Sequence, residues 1–133
     1  MHNPTDSVRI VLFDKDMESF TALTEADDPD NLKLPGGKFE GDESPDEAAA
    51  RELAEELNLK PEDVGLRHAG ELVNDDGISK RYIYVGTADD GIINPSDEIY
   101  RSGRFSEGDV PEGKNRGHIL SAIALARTTK KES

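Results

Sequence analysis

Residues 37–59 read GKFEGDESPDEAAARELAEELNL, a glycine-led loop that runs into a helix carrying a grid of carboxylates. Glu52, Glu55 and Glu56 lie three and four residues apart, so at 3.6 residues per turn they share one helical face. Like charges at that spacing cost an isolated helix a few tenths of a kcal/mol per pair. A hard divalent cation with oxygen ligands offsets such repulsion. Ser44-Pro45-Asp46-Glu47 predicts the start of the helix: Ser44 as N-cap, Pro45 at the first helical position and Glu47 closing a capping box. Ala50, Leu53, Ala54 and Leu57 read as its apolar stripe, with the three glutamates on an adjacent face. Before the box, Leu34-Pro35-Gly36-Gly37 predicts a tight turn with exposed backbone carbonyls and amides. Loop and helix together read as a metal and phosphate site.

The spacing resembles the signature of the Nudix hydrolases: G, five residues, E, seven residues, then R-E-U-x-E-E-x-G-U, with U aliphatic. Gly37, Glu43, Arg51, Glu52, Leu53, Glu55, Glu56 and Leu59 fill the pattern, and Asn58 stands where the family has glycine. That position follows the helix in a left-handed conformation that Asn tolerates second best, so the change reads as a conservative cap. The resemblance implies an α/β fold, the Nudix α/β/α sandwich with a mixed sheet between helices. It also implies hydrolysis of a pyrophosphate bond in a nucleoside diphosphate-linked substrate with Mg²⁺, or Mn²⁺ as a substitute. Glu52, Glu55, Glu56 and the Gly36 carbonyl are then the metal holders, Glu52 being the base in some members. Glu43 and Arg51 complete the expected catalytic set as a carboxylate and a guanidinium that orient the ligands.

Beyond the box, the family often adds an acidic residue from a later loop, for which Asp97 and Glu98 are the candidates. Many members place a tryptophan just after that glutamate. This chain has no tryptophan and carries Arg101 and Arg104 there instead. Gly37, Glu98, Arg101 and Arg104 are the expected substrate contacts. The stretch Asn74-Asp75-Asp76-Gly77 lacks the downstream proline or tyrosine that marks some subfamilies. The small size resembles compact members that hydrolyse (deoxy)nucleoside triphosphates, oxidised ones included, with ADP-ribose or nucleotide-sugar cleavage as the runner-up. A catalytically silent nucleotide-binding module is the competing class, against which every matched glutamate is retained. Dimers are frequent among such relatives.

At 133 residues the chain reads as one domain over 1–133, large enough to bury roughly two thirds of its unfolded surface. It has no cysteine, which excludes disulfides and thiolate zinc sites. No apolar run approaches the ~20 residues of a membrane span, and the start MHNPTDSVR lacks a signal-peptide core. The expectation is a cytoplasmic protein that engages no membrane. Its net charge of -13 disfavours nonspecific binding to nucleic-acid backbone. The box alone holds eight acidic residues against Lys38 and Arg51.

Along the chain, strands are expected at 8–13, 18–24, 32–34, 66–73, 80–87 and 99–105, with a short one at Ile92-Ile93. Residues 26–31 read as a loop, 14–16, 74–77 and 106–111 as turns, and Pro61-Glu62-Asp63 as a break. Residues 118–128 predict a second apolar-striped helix packed on the sheet. Tyr82 and Tyr84 alternate on one strand and read as core, like Phe39. His68 and His118 have no metal-ligand spacing and read as structural or surface residues.

Overall fold

The first strand, β1 (Ser7–Phe13, SVRIVLF), alternates two apolar sets, and each set faces a different helix. Val8, Ile10 and Leu12 pack with Leu53 and Leu57 of α1 (Pro45–Leu57). Val11 and Phe13 pack on the other face with Ile119 and Ile123 of α3 (Arg116–Thr128). A strand buried on both faces needs apolar residues at both phases of its period of two. The result is an α/β/α sandwich around a mixed sheet, as expected. The computed structural model describes residues 5–128, so the 1–133 span read from sequence extends at both ends outside the described residues.

β1 runs parallel to β6 (Lys80–Thr87) along its whole length, and β5 (Arg67–Val73) edges β6 antiparallel. Its contact with β2 (Phe20–Glu25) is confined to Phe13 opposite Phe20. Residues 34–38 fill the opening between them. The Ile10 N–H donates to the Pro35 carbonyl at 2.8 Å, and β4 (Gly36–Lys38) then pairs antiparallel with β1. β2 in turn pairs antiparallel with β3 (Asp28–Lys33) and β7 (Ile99–Phe105).

Several local expectations change. The loop read at 26–31 is a strand from Asp28 onward; β3 ends the order of the sheet, and an edge strand tolerates Pro29 without its N–H. Gly36 and Gly37 form strand rather than a tight turn. The Pro61 break is a single helical turn, α2 (Pro61–Val64), begun where the Lys60 N–H donates to the Asp63 carboxylate at 2.9 Å. Ile92 closes a 3-10 turn, Asp90–Ile92, instead of a strand. The second strand starts at Phe20 because Asp14 accepts the amides of Glu18 and Ser19 and holds them in the turn. Tyr82 and Tyr84 do pack together on the α1 side, with Phe39 edge-on to Tyr82 at 5.6 Å. Among the described residues no helix is long and apolar enough to cross a membrane.

Candidate active site

Helix α1 begins and ends as its sequence dictates. Ser44 Oγ accepts the Glu47 N–H at 3.1 Å, and the Glu47 carboxylate accepts the Ser44 N–H at 2.9 Å. At the other end Asn58 is left-handed (φ 58°, ψ 40°) and its N–H donates to the Ala54 carbonyl. Its side-chain amide donates to the Asn94 carbonyl, while Asn94 and Ser96 donate their own N–H groups to the carbonyls of Leu57 and Glu56. The 94–98 loop is thereby fastened to the end of the helix.

The face of α1 differs from the stripe read in sequence. Ala48, Ala49, Glu52, Leu53, Glu56 and Leu57 are buried, whereas Ala54 is exposed and Ala50 half-buried. Two of the three glutamates therefore lie on the inward side: Glu52 is 8% exposed and Glu56 1%. Positions 49, 53 and 57 follow the same four-residue spacing as 48, 52 and 56, so the apolar and acidic rows are neighbours on one buried face.

The two glycines serve those carboxylates differently, Gly36 through its backbone N–H and Gly37 through its missing side chain. The Gly36 N–H donates to Glu56 Oε1 at 2.9 Å. Gly36 has φ +140°, and a Cβ there would stand 2.1 Å from the Val8 carbonyl oxygen. At Gly37 an added Cβ would stand 2.1 Å from Glu52 Oε2. Glycine at the first position of the box thus leaves the carboxylate fifteen residues on where it stands; a larger residue would push it aside.

Arg51 gathers the rest. Its guanidinium grips Glu43 through two bonds of 2.6 and 3.1 Å, meets Glu55 at 3.0 Å and Glu52 at 3.4 Å, and donates to the Lys38 carbonyl at 3.0 Å. The bond to Glu43 raises the Arg51 pKa further, despite some burial. Burial pushes the Glu56 carboxyl up to about 8; the Gly36 N–H opposes this, and the charges of Glu52 and Glu25 add to it. Burial raises Glu52 as well, with Arg51 opposing. Two inward carboxylates that are costly to charge suit a hard cation, and the donors here are all oxygen. Among the described residues no three acidic or histidine side chains converge into a ready-made cage. Glu52 and Glu55 lean on Arg51 instead, so a cation must draw them off it.

Gly36, Gly37, Glu43, Arg51, Glu52, Glu55 and Glu56 thus come together. Asp97 and Glu98 are exposed on the loop fastened to α1. Arg101 and Arg104 lie on β7 opposite Thr24 and Thr21 of β2. Arg101 stacks over the Tyr100 ring at 5.4 Å, and Arg104 meets Asp14 at 3.4 Å. His68 packs edge-on against Tyr84 at 5.2 Å, in keeping with a structural role.

Sequence reasoning missed two charged residues beside the site. Glu25, at the end of β2, is paired with Lys33 at 2.8 Å, and its charge acts on both Glu52 and Glu56. Arg9, opposite Gly36 in the β1–β4 register, is lowered in pKa by burial and held up by Glu56, Glu25 and Glu52. The available signal was an arginine inside the apolar run SVRIVLF.

A model of the NUDIX domain matches residues 3–119. Among solved structures, an ADP-ribose pyrophosphatase from Streptococcus suis is 22% identical, with 98% of this chain and 96% of that one covered and a TM-score of 0.71. The dihydroneopterin triphosphate pyrophosphohydrolase of E. coli is 19% identical, with 93% and 98% covered and a TM-score of 0.68. The NUDIX domain of Shewanella oneidensis NrtR, solved with ADP ribose, is 19% identical, with 96% and 89% covered and a TM-score of 0.69. At these identities the likeness is one of fold. No curated protein matches the sequence.

Proposed function

The chain belongs to the Nudix family, hydrolases of pyrophosphate bonds, and from that premise we propose a Mg²⁺-dependent enzyme acting on a nucleoside diphosphate-linked substrate, foremost a (deoxy)nucleoside triphosphate. The observation that carries this reading is the inward placement of Glu52 and Glu56 against Gly36 and Gly37. Glu52 shares its cation, Arg51, with Glu40, Glu43 and Glu55, so burying it beside Glu56 is expensive, and a diphosphate site with a divalent ion offsets that expense.

Glu52, Glu55, Glu56 and the Gly36 carbonyl would hold the ion. When bound, it supplies charge neutralisation at the diphosphate and makes water more acidic. The remaining chemistry belongs to the chain. Glu56, fixed by the Gly36 amide, keeps its place as the firmest ligand. Glu52 takes the proton of the attacking water at a carboxylate oxygen, steered by Arg51 on one side and bounded by Gly37 on the other. Glu43 holds the Arg51 guanidinium, so the orientation of Glu52 and Glu55 is fixed at one remove.

The test is a substrate panel with Mg²⁺ or Mn²⁺, covering nucleoside triphosphates, ADP-ribose and sugar nucleotides, with products identified. The expected result is a nucleoside monophosphate or its equivalent from a triphosphate, abolished in Glu56→Gln while the circular dichroism spectrum is kept. Metal binding without turnover on the entire panel would refute it.

A further inference from the structure

Helix α1 lies over β1 and β4, and beyond it β2 and β7 form a ledge on the same side of the sheet. Phe20 and Ala22 of β2 point to the α3 side and Leu23 to the α1 side, so Thr21 points with Leu23. Arg104 and Ser102 of β7 stand opposite Thr21 and Leu23, and residues paired across two strands share a face. The three polar side chains border a cavity of about 300 Å³, with Gly103 beside them and Ile93 and Pro95 of the β6–β7 loop on its rim. Thr21 is four residues from Glu25, about 13 Å along the strand, which sets this cavity apart from the carboxylates of α1.

Arg104 brings the charge to that rim. Its guanidinium reaches Asp14 Oδ2 and the Ala88 carbonyl, each at 3.4 Å, whereas a close charge-assisted bond spans about 2.7–2.9 Å. Asp14 is engaged elsewhere: it accepts the N–H groups of Glu18 and Ser19 at 3.0 and 3.4 Å and the Ser19 hydroxyl at 3.1 Å. Burial pushes its carboxyl up, those three donors hold it below the usual carboxylate range, and the charge of Arg104 adds least. Asp14 thus serves the 14–19 turn first and Arg104 loosely. Thr21, 3% exposed, and the half-buried Ser102 add two hydroxyls. One guanidinium and two hydroxyls on two strands match a group with more than two acceptor oxygens, which a phosphate has and a carboxylate lacks. The rim also belongs to a tethered segment. Asn94 and Ser96, on either side of Pro95, donate their N–H groups to the Leu57 and Glu56 carbonyls at 3.3 and 2.8 Å. An occupant lying against Pro95 therefore bears on the tie between the loop and the last turn of α1.

We propose that this cavity is an effector site for a small phosphate anion, whose occupancy steadies the loop against the end of α1. The phosphate oxygens accept from Arg104, Thr21 and Ser102, and Ile93 and Pro95 cover the remainder. Arg104, expected from the sequence to contact substrate, contacts the effector instead. Inorganic phosphate and a phosphate monoester share this chemistry. The site goes beyond the hydrolase reading and does not depend on it.

Two measurements test this. In chelator, inorganic phosphate is titrated into the metal-free chain at constant ionic strength set with chloride, following the Gly103 amide resonance. Saturable shifts are expected, weakened about tenfold by Arg104→Gln and about threefold by Ser102→Ala. Ser102→Ala, at a half-buried side chain, serves alone if Arg104→Gln fails to fold. Ribose 5-phosphate is titrated in parallel; tighter binding than inorganic phosphate assigns the anion to a monoester, and weaker binding assigns it to free phosphate. At saturation, hydrogen exchange of the Ser96 amide should slow at least about threefold. Shifts at Gly103 that do not saturate, or that keep their parental strength in the variants, overturn the site. Saturable binding with Ser96 exchange unchanged overturns the steadying of the loop.

Discussion

Asn58 closes α1 where the family signature has glycine, and its replacement tests how the box helix is finished. The residue sits at φ 58° and ψ 40°, a conformation that costs an ordinary L-residue roughly 1–2 kcal/mol and Asn somewhat less. Its side-chain amide also donates to the Asn94 carbonyl, a bond of about 1 kcal/mol that crosses 36 residues of chain. Asn58→Ala loses both the tolerance and the bond, so about 2 kcal/mol of destabilisation is expected. Asn58→Gly relieves the backbone by up to about 1 kcal/mol and loses the same bond, which leaves it within about 0.5 kcal/mol of the parent. Urea unfolding followed by circular dichroism separates them. With m near 2 kcal/mol/M for a chain of this size, the midpoint of the alanine variant should fall by about 1 M at unchanged m, and that of the glycine variant should barely move. An alanine variant as stable as the glycine variant would refute the left-handed cap. Equal stability of glycine variant and parent with turnover lowered would place the contribution of Asn94 in the loop rather than in the fold.

The two box glycines should fail differently: Gly36→Ala meets the Val8 backbone at φ +140° and should cost about 3 kcal/mol or more in thermal or urea unfolding, whereas Gly37→Ala meets the end of a movable Glu52 side chain and should keep the fold within about 1 kcal/mol while lowering kcat at least about tenfold. A Gly37→Ala enzyme with full kcat would remove Glu52 from the chemistry. Leu53→Ala, at a side chain with no exposed surface, should cost about 2–5 kcal/mol, read by the same unfolding curves. In chelator, the raised Glu56 pKa makes the folded state hold a proton that the unfolded chain releases near its ordinary value of 4.5. That stability is full below about 4.5 and lost as pH rises through about 8. Melting temperature against pH should therefore fall less steeply across that window in Glu56→Gln than in the parent. Parallel curves would mean that Glu56 is charged throughout.

The box helix was legible because everything that specifies it is local. Ser44, Pro45 and Glu47 satisfy the first turn from within four residues, and Asn58 ends the helix by its own backbone preference. The glutamate spacing likewise follows from 3.6 residues per turn without reference to the rest of the chain. The α/β/α order was readable for a related reason: β1 and β6 are apolar at both phases, which requires cover on both faces. What the local pattern did not contain was which helix face turns inward. Alanines at 48, 49, 50 and 54 are equally small and apolar, so the stripe was drawn one step away from the face that Leu53 and Leu57 share with Glu52 and Glu56. Tertiary structure settled that by pressing α1 on β4, where the missing side chain of Gly37 leaves space for the Glu52 carboxylate and the Gly36 N–H meets that of Glu56. It also put Gly36 opposite Arg9 and Thr21 opposite Arg104, pairings between residues 27 and 83 positions apart. A cavity built from such registers has no signature along the chain, because its members are brought together by the sheet and not by their spacing.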